Sequence, residues 1–279
     1  MSLKTYKPTT PTRRHTVAIN TKHIVSGNKP NKRMLRVKTN SGGRNNSGKV
    51  TMRHQGGAVK SFYRIIDFKR ERRDIAGTVT SIEYDPNRTS YIVLVTFPDG
   101  IKTYYLAWEG SKVGESVQSG EKAEIKNGNS LPLVNIPAGT IVHNIEIVPG
   151  NGAKMVRSAG QSAVLQGFNG KGYAQLKLPS TEVRLINEKC YATIGTVSNS
   201  EHVNEKIGSA GRRRRKGVRP SVRGMAMHAQ AHPHGGGEGK GVVGGPTQDI
   251  YGNYRGLKTR KPKRTSNKFI ISRRKKKNK

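Results

Sequence analysis

The chain has 279 residues, with 52 Lys and Arg against 17 Asp and Glu, a formal net charge of +35. So large a charge costs self-repulsion unless a polyanion neutralises it. No long apolar run or amphipathic helix offers an anionic membrane as that partner. The single cysteine, Cys190, excludes an internal disulfide and a cysteine-based zinc site, and reads as the buried thiol of an intracellular protein. In chain order, residues 1–60 come first, with 14 basic residues and no acidic one. The opening MSLKTYKPTTPTRRHTV has no apolar signal core, and segment 26–49 has almost no apolar periodicity. Too little apolar surface is available there to offset the entropy of ordering, so an extended basic arm, disordered when free, is expected over 1–60. Residues 61–200 are near neutral, with 16 basic and 13 acidic residues. IAGTVTSIEY (75–84), SYIVLVTF (90–97) and IKTYYLAW (101–108) are strand candidates, separated by the turns Asp85-Pro86-Asn87-Arg88 and Pro98-Asp99-Gly100. After a Gly-rich, charged stretch at 110–130, further short strand candidates run through 135–148, 154–160, 162–168, 173–179, 181–187 and 191–199. Residues 201–279 return to a polycation, with 22 basic and 4 acidic residues.

Helical periodicity is almost absent, and short strands with frequent turns predict a mainly β chain. The middle accommodates two small barrels of roughly 60–70 residues, each large enough for a modest core. The basic ends are interleaved with glycine, proline and isolated apolar residues. That pattern suits arms that order against a folded polyanion, where glycine permits close approach of backbone to phosphate. Aromatic residues make up only 6% of the chain, which favours phosphate contact and shape reading of a structured RNA over capture of single strands.

The stretch HAQAHPHGGGEGKG (228–241) admits several chemistries. His228, His232 and His234 are possible zinc ligands, but Pro233 and the glycines leave no rigid element to fix their geometry. A GxxxxGK[ST] phosphate loop fails at both ends, at His234 and Gly241. A general base is possible, yet no carboxylate or nucleophile stands nearby to complete a triad. The simplest reading is a glycine loop passing through a narrow RNA cleft, with the histidines and Lys240 donating to phosphates. A metal-dependent nuclease or transferase using the three histidines, and a free RNA chaperone, are the rival readings. No cofactor, metal site or catalytic residue is expected.

The segments YKPTTPTRR, TMRHQGGAVKSFYRIIDFKR, EYDPNR, GAKMVRSAG, GRRRRKGVRPSVRGMAM, HPHGGGEGKG and LKTRKPKRTSNKFIISRRKKK occur in this order, and through them the chain resembles the universal large-subunit ribosomal protein number two family, bacterial type, over essentially its full length. The resemblance implies an OB-fold-like RNA-binding barrel at 61–125 and an SH3-like barrel at 126–200, between a basic N-terminal arm (1–60) and a basic Gly-rich C-terminal extension (201–279). It implies a structural, non-enzymatic role in the cytoplasmic ribosome of a bacterium, or its plastid counterpart. The partners it implies are large-subunit rRNA, other ribosomal proteins, the small subunit at the intersubunit interface and, indirectly, tRNA; no membrane is among them. On this match Arg88 and Arg157 correspond to rRNA-contacting arginines of the globular part. The other basic residues of the matched segments expected at RNA are Arg13, Arg14, Arg53, His54, Lys60 and Arg70, then Arg212, Arg213, Arg214, Arg215, Lys216, Arg219 and Arg223, then His232, His234 and Lys240, and finally Lys258, Arg260, Lys261, Arg264, Arg273 and Arg274. His232 corresponds to the histidine suspected in peptide-bond formation. Where the family reads Asp directly before that histidine, this chain has Ala231, so the carboxylate that would orient His232 is absent.

Overall fold

The computed structural model describes residues 3–26, 29–237 and 244–274. Contacts divide it into two compact units, one from the described residues of 1–38, 60–209 and 268–279, the other from 39–59 and 210–267. The chain passes between the units at 38/39, 59/60, 209/210 and 267/268.

The first unit is mainly β, with several antiparallel sheets and a half-barrel, the architecture of an OB-fold followed by an SH3-like barrel. In the first barrel, strand Gly77–Glu83 pairs with Ile92–Thr96 and with Ser116–Val117, and Ile92–Thr96 pairs with Lys102–Leu106. The run Ile92-Val93-Leu94-Val95 is apolar at every position because both faces of its strand are covered. Val93 and Val95 face a core with Val79, Phe97, Tyr105, Trp108 and Val117. Ile92 and Leu94 face the other way, onto Ile66, Tyr104 and Leu106. The chain then changes sheet between Val117 and Ser130. The second barrel belongs to a seven-stranded antiparallel sheet whose strand Ala163–Phe168 pairs with Ile141–His143 and Tyr173–Lys177. Leu131, Leu133, Val142, Leu165, Leu176 and Ile194 fill its core, where Cys190 is fully buried.

The expected N-terminal arm is more ordered than its composition suggests. Strand Leu3–Thr5 pairs with Val17–Ile19, and Leu35–Val37 pairs with Phe62–Arg64. Ile24 and Val25 pack on one barrel core cluster and Met34 on another, while the Asn31 backbone N–H donates to the Tyr104 hydroxyl at 2.9 Å. Isolated apolar residues that build no core of their own find a ready-made apolar face on the barrel. The chain also returns at its far end, where Ile270–Ser272 adds to the edge of the seven-stranded sheet beside Val183–Asn187.

The second unit is held differently. Helix Ala210–Arg215 turns its Arg214 inward, where the guanidinium donates to the carbonyls of Gly56 (3.0 Å) and Val218 (3.2 Å). Backbone hydrogen bonds join Gly56 to Gly217, Val59 to Arg215 and Arg219 to His54. Among its described residues no hydrophobic side chain is buried; the one buried polar side chain is His232.

Candidate nucleic-acid interface

Two arginines converge on one aromatic ring of the first barrel, and a third shares a carboxylate with one of them. The turn after strand Gly77–Glu83 is built by Asp85, whose fully buried carboxylate accepts from the Asn87 backbone N–H at 2.8 Å. The same carboxylate takes the Arg88 Nε at 2.6 Å and lies 3.7 Å from Arg64. Asn87 is pinned in turn to the Phe62 carbonyl at 2.7 Å. The Arg88 guanidinium therefore lies over Phe68, 5.8 Å from its ring centre, and 5.9 Å from that of Tyr63. Arg157 reaches the Phe68 ring at 4.6 Å. Val156, the residue before it, has φ +53°, a conformation that a β-branched side chain rarely adopts, and its carbonyl accepts from Asn144 at 2.8 Å. The backbone thus bends sharply to aim Arg157, which is exposed. Asp85 holds two of the three guanidinium groups and the buried Glu83 also faces Arg64, so the cluster keeps a positive excess beside the exposed rings of Phe62 and Tyr63. Planar forks next to aromatic faces suit both phosphate oxygens and base edges. Arg64, Phe68 and Asp85 were not expected at this site; the alternation of aromatic and basic residues in SFYRIIDFKR is the signal that carries two of them.

Most other expected residues lie at the surface: Arg13, Arg14, Lys60, Arg212, Arg213, Arg215, Lys216, Arg219, Arg223, Lys258, Lys261, Arg264, Arg273 and Arg274 are exposed. Arg53, His54, Arg214, His234 and Arg260 are half-buried. Arg260 is tied to Asn267 (2.6 Å) and Ser266 (2.9 Å). Lys240 lies outside the described residues. Arg70 needs correcting. It is 3% exposed, donates to the Gly128 carbonyl at 2.7 Å and stacks 4.4 Å from the Tyr105 ring centre. Burial is the leading cause pulling its pKa below the usual arginine value. It is an internal strut and not a surface contact, because the backbone there, at φ +50°, turns the side chain into the body.

The histidine stretch forms a tight loop. His232 is 8% exposed, and its Nδ1 accepts from the His234 backbone N–H at 3.0 Å. The ring proton of His232 therefore sits on Nε2. His234 Nε2 accepts from the Gln248 backbone N–H at 2.8 Å. The His232 ring lies flat on Gly224, where a Cβ would come within 2.4 Å of it. Among the described residues no three His, Cys, Asp or Glu side chains are grouped to hold a metal. The glycines serve the loop itself. A Cβ on Gly235 would lie 2.3 Å from the His228 carbonyl oxygen, and Gly236 has φ +79°. Among the described glycines of the loop, only Gly237, at φ +85°, has no atom within 4 Å of an added Cβ.

Two family models cover most of the chain. Residues 31–119 match the RNA binding N-terminal domain of ribosomal proteins L2, and residues 126–251 match the C-terminal domain of the same proteins. The chain belongs to the ribosomal protein L2 family. Its relatives include the large ribosomal subunit protein uL2 of Akkermansia muciniphila, 50% identical over 98% of this chain and 99% of that protein. The uL2 of Dinoroseobacter shibae is 48% identical over 97% of this chain and 96% of its own length. The L2 family is one of structural ribosomal components and not of enzymes. The arginine cluster around Phe68 lies wholly within segments matched by the two L2 models.

Proposed function

We propose that this protein is a structural, rRNA-binding constituent of the bacterial large ribosomal subunit. In this reading the barrels at 61–125 and 126–200 dock on folded rRNA, and the segments 1–60 and 201–279 run between RNA helices. The observation that carries it is the make-up of the second unit. Residues 39–59 and 210–267 hold 17 basic and 2 acidic residues, and no apolar side chain is buried among those described. A compact arrangement of like charges without an apolar core needs a polyanion to stabilise it. From there follow the finer roles: locking RNA helices together during assembly, supporting subunit association and tRNA placement, and bracing the peptidyl-transferase region. A hydroxyl-radical footprint on large-subunit rRNA tests the reading. Protection of RNA by the full chain should vanish steeply with added salt, as counterion release requires. Binding that ignores salt, or no protected RNA at all, would overturn it.

A further inference from the structure

In a chain with about three basic residues for every acidic one, one cleft carries two carboxylates against a single lysine. It lies in the first unit, has a volume of 560 Å³, and is lined by Glu109, Glu201, Tyr91, Trp108 and Val113. His23 and Lys112 also border it. Two groups there are unsatisfied. Tyr91 is 2% exposed and its hydroxyl has no hydrogen-bond partner among the described residues; one carboxylate oxygen of Glu201 is buried in the same condition. Burial, then Tyr84, Glu109, Glu201 and Glu205 in that order, hold the Tyr91 phenol above its usual pKa, so the carboxylates face the hydroxyl electrostatically. Glu205 lies 3.6 Å from His202. Buried polar groups left unpaired cost free energy, and both of these atoms lie behind the accessible wall of the cleft.

The chemistry of the walls selects that partner. Phosphate is repelled by the carboxylates, so nucleic acid does not fit. No described group of three ligating side chains provides a bare metal ion with a coordination shell. The cleft is instead amphipathic, with the acids Glu109 and Glu201 beside the half-exposed side chain of Val113. An aliphatic stem ending in a cation matches both walls at once. Val203, on the turn Ser200–Asn204 that carries Glu201, is 80% exposed, an apolar knob that suits a protein surface better than RNA. We propose that this cleft receives a lysine or arginine side chain from a neighbouring polypeptide in the assembled particle, with its stem on Val113 and its cationic head at Glu109 and Glu201. The cleft's volume holds the flanking backbone as well, so the occupant is a basic peptide segment. The proposal does not depend on how the arms engage rRNA.

A benzophenone side chain placed at Val113, in subunits assembled with the full chain, tests it. Irradiation should join the probe to a single polypeptide segment, at or next to a lysine or arginine. The combined Glu109→Gln, Glu201→Gln change should cut the adduct at least fivefold at equal occupancy in the subunit. Glu109 is exposed, so Glu109→Gln alone serves if the double change lowers occupancy, with at least a twofold loss expected. Lys112→Gln, which removes a competing cation, should hold or raise the yield. Adducts on rRNA, adducts confined to this chain, no adduct, or a yield indifferent to Glu109→Gln would each overturn the proposal.

Discussion

Arg70, Arg88 and Arg157 are alike in composition and opposite in use. Arg88 and Arg157 rest on Phe68 within reach of a partner, while Arg70 is sealed beneath Tyr105. Replacing Arg88 or Arg157 by Ala should weaken rRNA binding by about 1–3 kcal/mol, in line with one good bidentate contact; filter binding at matched salt checks it. Arg70→Ala should act on the fold instead. It strands the Gly128 carbonyl and leaves a cavity, so a loss of about 2–4 kcal/mol in denaturant unfolding is expected, with little change in RNA affinity once folded. Position in the sequence marks all three as basic. It does not reveal which way a side chain points, because that depends on Arg70's left-handed backbone and on the burial of Asp85, which holds Arg88. His143 adds a pH dependence of its own. It is fully buried, its Nδ1–H donates to the Gly195 carbonyl at 2.7 Å, and desolvation, assisted by the charge of Arg70, lowers its pKa to about 3. The folded value lies below the ordinary 6.5, so its contribution is intact above pH 6.5 and is lost as the pH falls towards 3. At pH 5 the loss should be about 2 kcal/mol. Unfolding midpoints measured between pH 7 and 4 should flatten in His143→Gln.

Elements were legible in proportion to their apolar pattern. The strands Gly77–Glu83, Ile92–Thr96 and Lys102–Leu106 fall inside the stretches where β-branched and aromatic residues cluster between turn signals. The short strands Leu3–Thr5, Val17–Ile19 and Leu35–Val37 were illegible, because three residues carry no readable period and each forms only against a partner strand elsewhere in the chain. The expectation of a wholly disordered N-terminal arm therefore changes. Amide spectra of the free chain should show dispersed resonances for much of 3–38, and Met34→Ser should collapse those near Asn31. Collapsed signals throughout that stretch in the unaltered chain would refute it. The glycine loop divides in the same way. Gly235→Val collides with the chain's own carbonyls and should disturb the loop even without RNA. At Gly237 an added Cβ meets no described atom, so a loss of subunit occupancy in Gly237→Val beyond the strain of its positive φ should report a clash with RNA. His232→Ala should leave peptide transfer on assembled ribosomes nearly unchanged, since its Nδ1 is already committed to the loop. A large loss of that step at full occupancy would revive a chemical role.

At the scale of the molecule, the two units differ in what holds them. The first has three buried clusters; the second has backbone hydrogen bonds and an inward arginine. Hydrogen exchange of the free chain should find slow amides in the barrels and fast ones throughout 39–59 and 210–267, with the latter slowed at least a hundredfold in assembled subunits. Cys190 offers a second probe. Burial pushes its thiol up to about 12, so maleimide should label it only as the second barrel unfolds. The charge partition made the two ends recognisable as polycations. That parts of them close on each other into one unit is a long-range fact, and no local pattern announces it.

That closure has a consequence for the newborn chain. Residues 39–59 meet their partners only when 210–267 exist, about 150 residues later. At roughly 5–20 residues per second of synthesis, that is a wait of about 8–30 seconds. Throughout it, the leading polycation emerges without its counterpart while the barrels behind it can already close. The strand Ile270–Ser272 can join its sheet only after 210–267 have been made. Synthesis therefore imposes a timetable: barrels first, clasp later, seal last.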